Sequence, residues 1–222
     1  VQTTVTARET APPSEAVAMR RAVGLSASGA GATYPNPSVG CVVLSADGEI
    51  VGEGRTADGG RPHAETVALA AAGERARGGT ALVTLEPCAH TGGTPPCVEA
   101  LVAAGVARVV VAVRDPHALA AGGAVALRAA GVDVEIGLLA DEARHAQRAW
   151  LHGIATGRPY VTWKYAATLD GRTAAADGTS RWITGPEARA DVHRLRATAD
   201  TIMAGIGTVL ADDPALTVRH PD

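Results

Sequence analysis

The sequence predicts an α/β fold with a mixed, mostly parallel sheet, and three observations predict it. Two apolar runs, Val39 to Leu44 and Ile50 to Gly54, flank an Asp47-Gly48 pair, the residue chemistry of a tight antiparallel hairpin. From Thr80 onward, short valine-rich runs alternate with alanine-rich helical stretches, and strands that alternate with helices pair in parallel. Each crossover lays its helix on the sheet, so helices are expected on both faces.

Taken in order, Val1 to Pro13 is polar, lacks the apolar segment of a secretory signal, and is expected to be a flexible tail. Ser14 can cap a helix running through Ser28, with Val17, Met19, Val23 and Leu25 turned inward. The hairpin follows. Arg61-Pro62 disfavours helix, whereas Ala64 to Ala72 is alanine-rich with apolar Val67 and Leu69, so a helix starts at His63. Thr80 to Leu85, Val109 to Val113 and Val132 to Ile136 read as strands, with helices at Val98 to Ala104 and Val125 to Ala130 between them. A helix from Asp141 to Ala155 closes a first domain spanning residues 14–157. After Gly157-Arg158-Pro159 the character changes. Tyr160 to Ala166 reads as the first strand of a second domain over residues 158–222, with a helix at Pro186 to Thr198.

Composition narrows the class of function. The chain has 222 residues, 46% hydrophobic, with a formal net charge of −3. No run of about 18 apolar residues occurs, so no membrane span is expected. One lysine, Lys164, and a near-neutral charge leave no polybasic footprint for nucleic acid. Three cysteines, two of which the motif below needs as thiolates, point to a reducing cytoplasm and away from a disulfide scaffold. Self-association into a homo-oligomer is compatible with this composition.

The residues that carry chemistry are His63-Ala64-Glu65, Pro87-Cys88 and Cys97. One imidazole and two thiolates make three zinc ligands and leave a fourth position open, as catalytic zinc requires. Zinc lowers the pKa of a bound water, and Glu65 would take its proton and carry it to a leaving amine. H-x-E…P-C-x-x-C is the zinc-deaminase signature, and this chain departs from it by placing eight residues, Ala89 to Pro96, between the cysteines. Residues i and i+2 of a helix point to different faces, so His63 must sit at a helix edge. Cys97 follows Pro95-Pro96 and opens an apolar stretch, which puts its sulfur at a second helix start where the macrodipole favours thiolate. Each piece alone has a plain reading: His-x-Glu as a solvated helix start, a cysteine as a small core residue. Cys41, within Val39 to Leu44, is read as strand core.

The whole loop Pro87-Cys88-Ala89-His90-Thr91-Gly92-Gly93-Thr94-Pro95-Pro96-Cys97, together with Pro35-Asn36-Pro37-Ser38-Val39-Gly40 and Gly52-Glu53-Gly54, resembles the pyrimidine deaminase domain of the riboflavin-biosynthesis RibD family. The resemblance implies a cytidine-deaminase-like three-layer sandwich and hydrolytic deamination of a phosphoribosylated diaminopyrimidinone to the aminouracil, with release of ammonia. It further implies that His63, Cys88 and Cys97 hold Zn2+, Glu65 shuttles the proton, and Asn36 hydrogen-bonds the substrate. His90 matches the family loop as a polar contact to substrate or phosphate, or as a loop histidine bonded to its own backbone. The chain has Gly93 where the family usually carries Lys or Arg, and Thr56 where it often carries histidine; Arg55 and Arg61 lie nearby.

Beyond Pro159 the chain resembles the family's reductase domain, a dihydrofolate-reductase-like α/β fold, through Thr168-Leu169-Asp170-Gly171-Arg172, Ser180 to Thr184, Arg196 and Gly207 to Pro214. Threonine stands at 168 where serine is usual. The resemblance implies that Ala166, Trp182, Thr208 and Asp212 line an NADPH site while Ser180, Arg196, Leu216 and Arg219 face the substrate. Plainer roles stay open: Trp182 as core, Arg196 as a solvated helix residue, Thr208 and Asp212 as turn and cap residues. The sequence stops at Asp222, before the family's later strands and glycine-rich cofactor loop, so deamination is expected and the reductase part is expected to be vestigial, truncated or dependent on further sequence. A nucleoside or tRNA deaminase, or a zinc-stabilised binding module without activity, are the other readings of the same site.

Overall fold

The computed structural model describes residues 13–90, 95–117 and 119–219. All but the last residue of the expected tail, and the departure at Gly93, lie outside the described residues. The chain divides into two compact units, Val1–Tyr160 and Val161–Asp222. Unit 1 runs α1 (Pro13–Ser28), β1 (Gly40–Leu44), β2 (Ile50–Arg55), α2 (Ala64–Ala72), β3 (Thr80–Leu85), α3 (Cys97–Ala103), β4 (Arg108–Val113), α4 (Gly123–Ala129), β5 (Asp133–Ile136), α5 (Ala140–Ala146) and α6 (Arg148–Thr156). Unit 2 contains α7 (Pro186–Ala197) and α8 (Ile206–Asp212).

The sheet order is β2-β1-β3-β4-β5. β1 is antiparallel to both β2 and β3, whereas β3, β4 and β5 are mutually parallel. β1 alone is therefore reversed, which makes the sheet mixed but mostly parallel. Helices α1 and α5 pack together on one face, and α2, α3 and α4 pack in sequence on the other. The three layers bury a core of valine and alanine, with Met19, Leu82, Leu101 and Leu127 its largest fully buried side chains. Arg108, on β4, ties this core's rim together: its guanidinium meets Glu15 of α1 at 2.9 Å and also pairs with Asp133 and Glu135 of β5.

Three expectations are corrected. Val17 is 58% exposed, because the stripe of α1 that meets the sheet runs through Ala18, Met19, Ala22 and Ser26, and Val17 lies off it. The helix expected over Asp141 to Ala155 is bent into α5 and α6 at Gln147, whose buried side chain donates from Nε2 to the Thr84 carbonyl at 3.2 Å. Backbone bonds Gln147 N–H to Ala143 O and Leu151 N–H to Gln147 O carry the ladder through the bend. Tyr160 to Ala166 is not a strand; no strand is described in unit 2 for it to pair with, and a lone strand has no ladder.

Two glycines of β2 seat the helix that leads out of the site. A side chain at Gly52 would run into the carbonyl oxygen of Ala68, and a Cβ at Gly54 would stand 2.5 Å from that of Ala64. Without side chains there, the backbone of α2 lies directly on β2. Gly52→Ala should therefore overpack this contact and destabilise the protein by about 1–3 kcal/mol. Urea unfolding checks this, and an unchanged midpoint would show that α2 has room to yield.

Candidate metal centre and its cavity

The ends of β2, β3 and β4 and the start of β1 meet at one edge of the sheet, because β1 alone runs the other way. Ligand sites of open α/β sheets lie outside the carboxyl ends of the strands. Here that edge opens into a cavity of 320 Å³ lined by residues from Pro35 to Ile154.

α2 begins beside this edge. Its N-cap is His63, with extended backbone (φ −71°, ψ 158°), and Glu65 lies in its first turn. The change from extended to helical backbone between the two residues lets both side chains face the cavity although they are only two positions apart. Cys88 follows the end of β3, and Cys97 is the first residue of α3. His63 Nδ1 stands 3.3 Å from Cys97 Sγ and 3.7 Å from Cys88 Sγ, and the Cys97 backbone N–H donates to Cys88 Sγ at 3.3 Å. The three donor atoms all lie within 4.8 Å of one another, and both cysteines are free thiols.

This donor set fits zinc. Bonds of about 2.3 Å to sulfur and about 2.0 Å to nitrogen in a tetrahedron separate S and N ligands by about 3.5 Å, and the two separations observed, 3.3 and 3.7 Å, bracket that value. One imidazole and two sulfurs are also the donors zinc favours over the hard cations.

Electrostatics bind the cluster together. A hydrogen bond from Cys97 and another with His63 pull the Cys88 thiol down to about 4, against its burial. Cys97 is pushed up, by its bond to Cys88, by burial and by the Glu65 charge. His63 is raised by its hydrogen bond to Cys88, against the effect of burial. Glu65 is 4% exposed, and burial raises its carboxyl above the ordinary range. It also hydrogen-bonds with Cys97. Cys41, fully buried on β1, is raised by burial and by the nearby Glu65.

Asn36 lines the cavity, its Nδ2 donating to Gly60 O at 2.7 Å. Gly60 has φ +88°, and a Cβ there would crowd Asn36 Nδ2 at 2.7 Å. His90 lines the cavity too. Thr56 is buried: its hydroxyl donates to Pro37 O at 3.0 Å and accepts from Val39 N–H at 2.9 Å, pinning the segment that carries Asn36. Arg55 pairs with Asp58 at 2.9 Å, and Arg61 lines the cavity.

Glu86, Asp115, His117 and Trp150 also line the cavity and were not singled out from sequence. Glu86 is buried and accepts from the backbone N–H of Asp115 at 3.2 Å and of Ala124 at 2.9 Å, joining the end of β3 to the start of α4. Asp115 is raised chiefly by burial. The signal that finds Glu86, Asp115 and His117 is their place just after the parallel strands β3 and β4. Trp150 carries no such signal.

In unit 2, Arg196 on α7 donates to Thr217 O at 3.1 Å, and Arg219 donates to Thr217 Oγ1 at 2.9 Å and through its backbone to His193 Nδ1 at 3.0 Å. Leu216, with φ +49°, adjoins that group. Asp212, the last residue of α8, pairs with Arg181 at 3.2 Å. Trp182 is exposed, not core, with the Arg189 guanidinium 4.4 Å from its ring centroid. Thr208 lies within α8, Ala166 is half-buried, and Ser180 is exposed.

Two family models match: the cytidine and deoxycytidylate deaminase zinc-binding region over residues 13–113, and the RibD C-terminal domain over residues 159–222. The riboflavin biosynthesis protein RibD of Mycobacterium tuberculosis is 56% identical over 193 residues, covering 86% of this chain and 57% of that protein. RibD of Escherichia coli is 55% identical over 202 residues, covering 90% and 55%. Among solved structures, the diaminohydroxyphosphoribosylaminopyrimidine deaminase and 5-amino-6-(5-phosphoribosylamino)uracil reductase of Thermotoga maritima matches with TM-score 0.88 and 41% identity, over 93% of this chain and 59% of that one. Acinetobacter baumannii RibD matches with TM-score 0.85 and 51% identity, over 93% and 58%. The chain thus spans little more than half the length of these relatives. The first unit has the cytidine-deaminase-like fold, and the second carries the start of a RibD reductase-like domain. Among the described residues no helix is long and apolar enough to cross a membrane.

Proposed function

The chain belongs to the RibD family, and on that footing we propose that its first unit hydrolytically deaminates a phosphoribosylated diaminopyrimidinone. The observation that carries this reading is the convergence of His63, Cys88 and Cys97 within 4.8 Å beside the buried Glu65. His63, Cys88 and Cys97 would hold Zn2+, which supplies Lewis-acid activation of water when bound.

The chain's own residues supply the rest. Water adds at the amino-bearing ring carbon, that carbon's bond to the amino nitrogen breaks and the carbon becomes a carbonyl; of the two water protons, one ends on the adjacent ring nitrogen and the other leaves with the amino group as ammonia. Glu65 takes a proton from the water and delivers it to the departing nitrogen; burial raises its carboxyl toward the range where it both accepts and donates. Asn36, held by its bond to Gly60, has a second amide N–H and its oxygen left for the ring, and His90 contributes a polar contact. Pro35, Val39 and Leu85 give the cavity part of an apolar wall. Thiol ligands fit a reducing compartment, the cytoplasm.

For unit 2 we propose a reductase half-site, with Ser180, Arg196, Leu216 and Arg219 toward the substrate and Ala166, Trp182, Thr208 and Asp212 toward NADPH. The support is the match to the RibD C-terminal domain and the approach of Arg196 and Arg219 to Thr217, two guanidinium groups suited to a phosphate.

Glu65→Gln should keep zinc and fold while ammonia release falls by about 100-fold or more; full activity in that variant would remove Glu65 from the mechanism. Cys88→Ser, measured by metal analysis of the purified chain, should lose most of its zinc, and chelation of the wild type should lower its thermal midpoint. Zinc retained at wild-type stoichiometry in Cys88→Ser would move the metal elsewhere. A zinc-loaded wild type that releases no ammonia would favour a binding module.

A further inference from the structure

Aromatic side chains are scarce in this protein, with no phenylalanine, three tyrosines and three tryptophans. Five of these six rings, those of Tyr34, Tyr160, Trp163, Tyr165 and Trp182, are between 43% and 80% exposed. Trp150 is the sixth. It is half-buried, packs in part against the core, and lines the cavity that holds His63, Glu65 and Cys88. Among the described residues the buried core is filled by alanine, valine, leucine, methionine and one cysteine, without any aromatic ring, so this indole is not one of a set of bulky core residues.

The fold also fixes where the indole stands. α6 leaves the bend at Gln147, whose side chain is bonded to the Thr84 carbonyl, and the next residue of β3, Leu85, lines the same cavity. Trp150 and Ile154, four residues apart on α6, present one helix face to the cavity. Apart from imidazoles, Trp150 is the one aromatic ring lining it among the described residues. The other apolar lining is aliphatic, and a flat heteroaromatic ring finds its best apolar partner in another flat ring.

We propose that Trp150 is a specificity-determining residue of this site, its indole stacking on the heteroaromatic ring of the substrate. This deepens the deaminase reading and rests on it. Stacking is made in the bound ground state as well as in the transition state, so its loss weakens binding more than it slows the chemical step. Stacking of one base on one aromatic ring corresponds to about 5- to 150-fold in affinity.

The test uses the full chain as wild type, Trp150→Leu and Trp150→Phe. Zinc content is measured for each, ammonia release is followed against the phosphoribosylated diaminopyrimidinone, and tryptophan fluorescence is titrated with the deaminated product on metal-stripped protein. Trp150→Leu should raise KM about 5- to 150-fold while kcat changes by less than about threefold, and Trp150→Phe should restore most of the KM. Product should quench wild-type emission, and Trp150→Phe should lose most of that quench although Trp163 and Trp182 remain. A KM within about twofold of wild type in Trp150→Leu, or an undiminished quench in Trp150→Phe, overturns the assignment. If Trp150→Leu loses zinc or melts early, the quench in Trp150→Phe decides. Wild-type turnover with either contrary result sinks this inference alone, whereas a zinc-loaded wild type without turnover sinks the deaminase reading and this inference with it.

Discussion

The seating of α2 on β2 is the constraint from which the site follows. Gly52 and Gly54 bring helix backbone onto strand backbone, where any side chain would strike the carbonyls of Ala68 or Ala64. That contact fixes the first turn of α2 at the edge where β3 ends, so His63 and Glu65 arrive next to Cys88. The start of α3 is locked to the same point, because the Cys97 N–H donates to Cys88 Sγ. A rigid sheet edge and two helix starts thus hold the three candidate donor atoms in one place.

The cluster's charges follow from that closeness. One of its two thiols is driven far down and the other up, because they share a hydrogen bond within a partly buried space. Glu65, almost without access to water, adds a third acidic group to the same small volume. Such a set is costly to ionise fully unless positive charge joins it. A divalent cation would meet that demand, and its binding would be coupled to release of ligand protons.

Much of this was legible in the sequence because the relevant signals are local. The Asp47-Gly48 turn, the valine runs and the proline before His63 each act within a few residues, and the strand over Thr80 to Leu85 has the bounds its composition implies. The bend at Gln147 was not legible, since its cause is a hydrogen bond to Thr84, 63 positions away. Val17 failed for a different reason: apolar residues on α1 exceed what one stripe can bury, and alanine and serine, neutral in pattern, occupy the buried positions Ala18, Ala22 and Ser26. At the site, the candidate metal donors announce themselves by residue type. Glu86 does not, because a glutamate that satisfies two backbone N–H groups looks like any other glutamate until the β3 end and the α4 start are brought together.

The two units differ in how they could hold themselves together. Unit 1 buries whole strands, with every residue of β1 out of solvent. In the described part of unit 2 no residue is buried, and Trp163, Leu169, Met203 and Leu210 are largely exposed. Hydrophobic stabilisation grows with apolar area removed from water, so unit 2 gains little of it from its own described residues. Its fixed points are polar: Arg181 with Asp212, Arg189 over Trp182, and Arg196 and Arg219 about Thr217. Exposed contacts of this kind contribute little stability each. The cavity's lining residues all belong to unit 1, so its geometry draws on the unit whose described residues form a core.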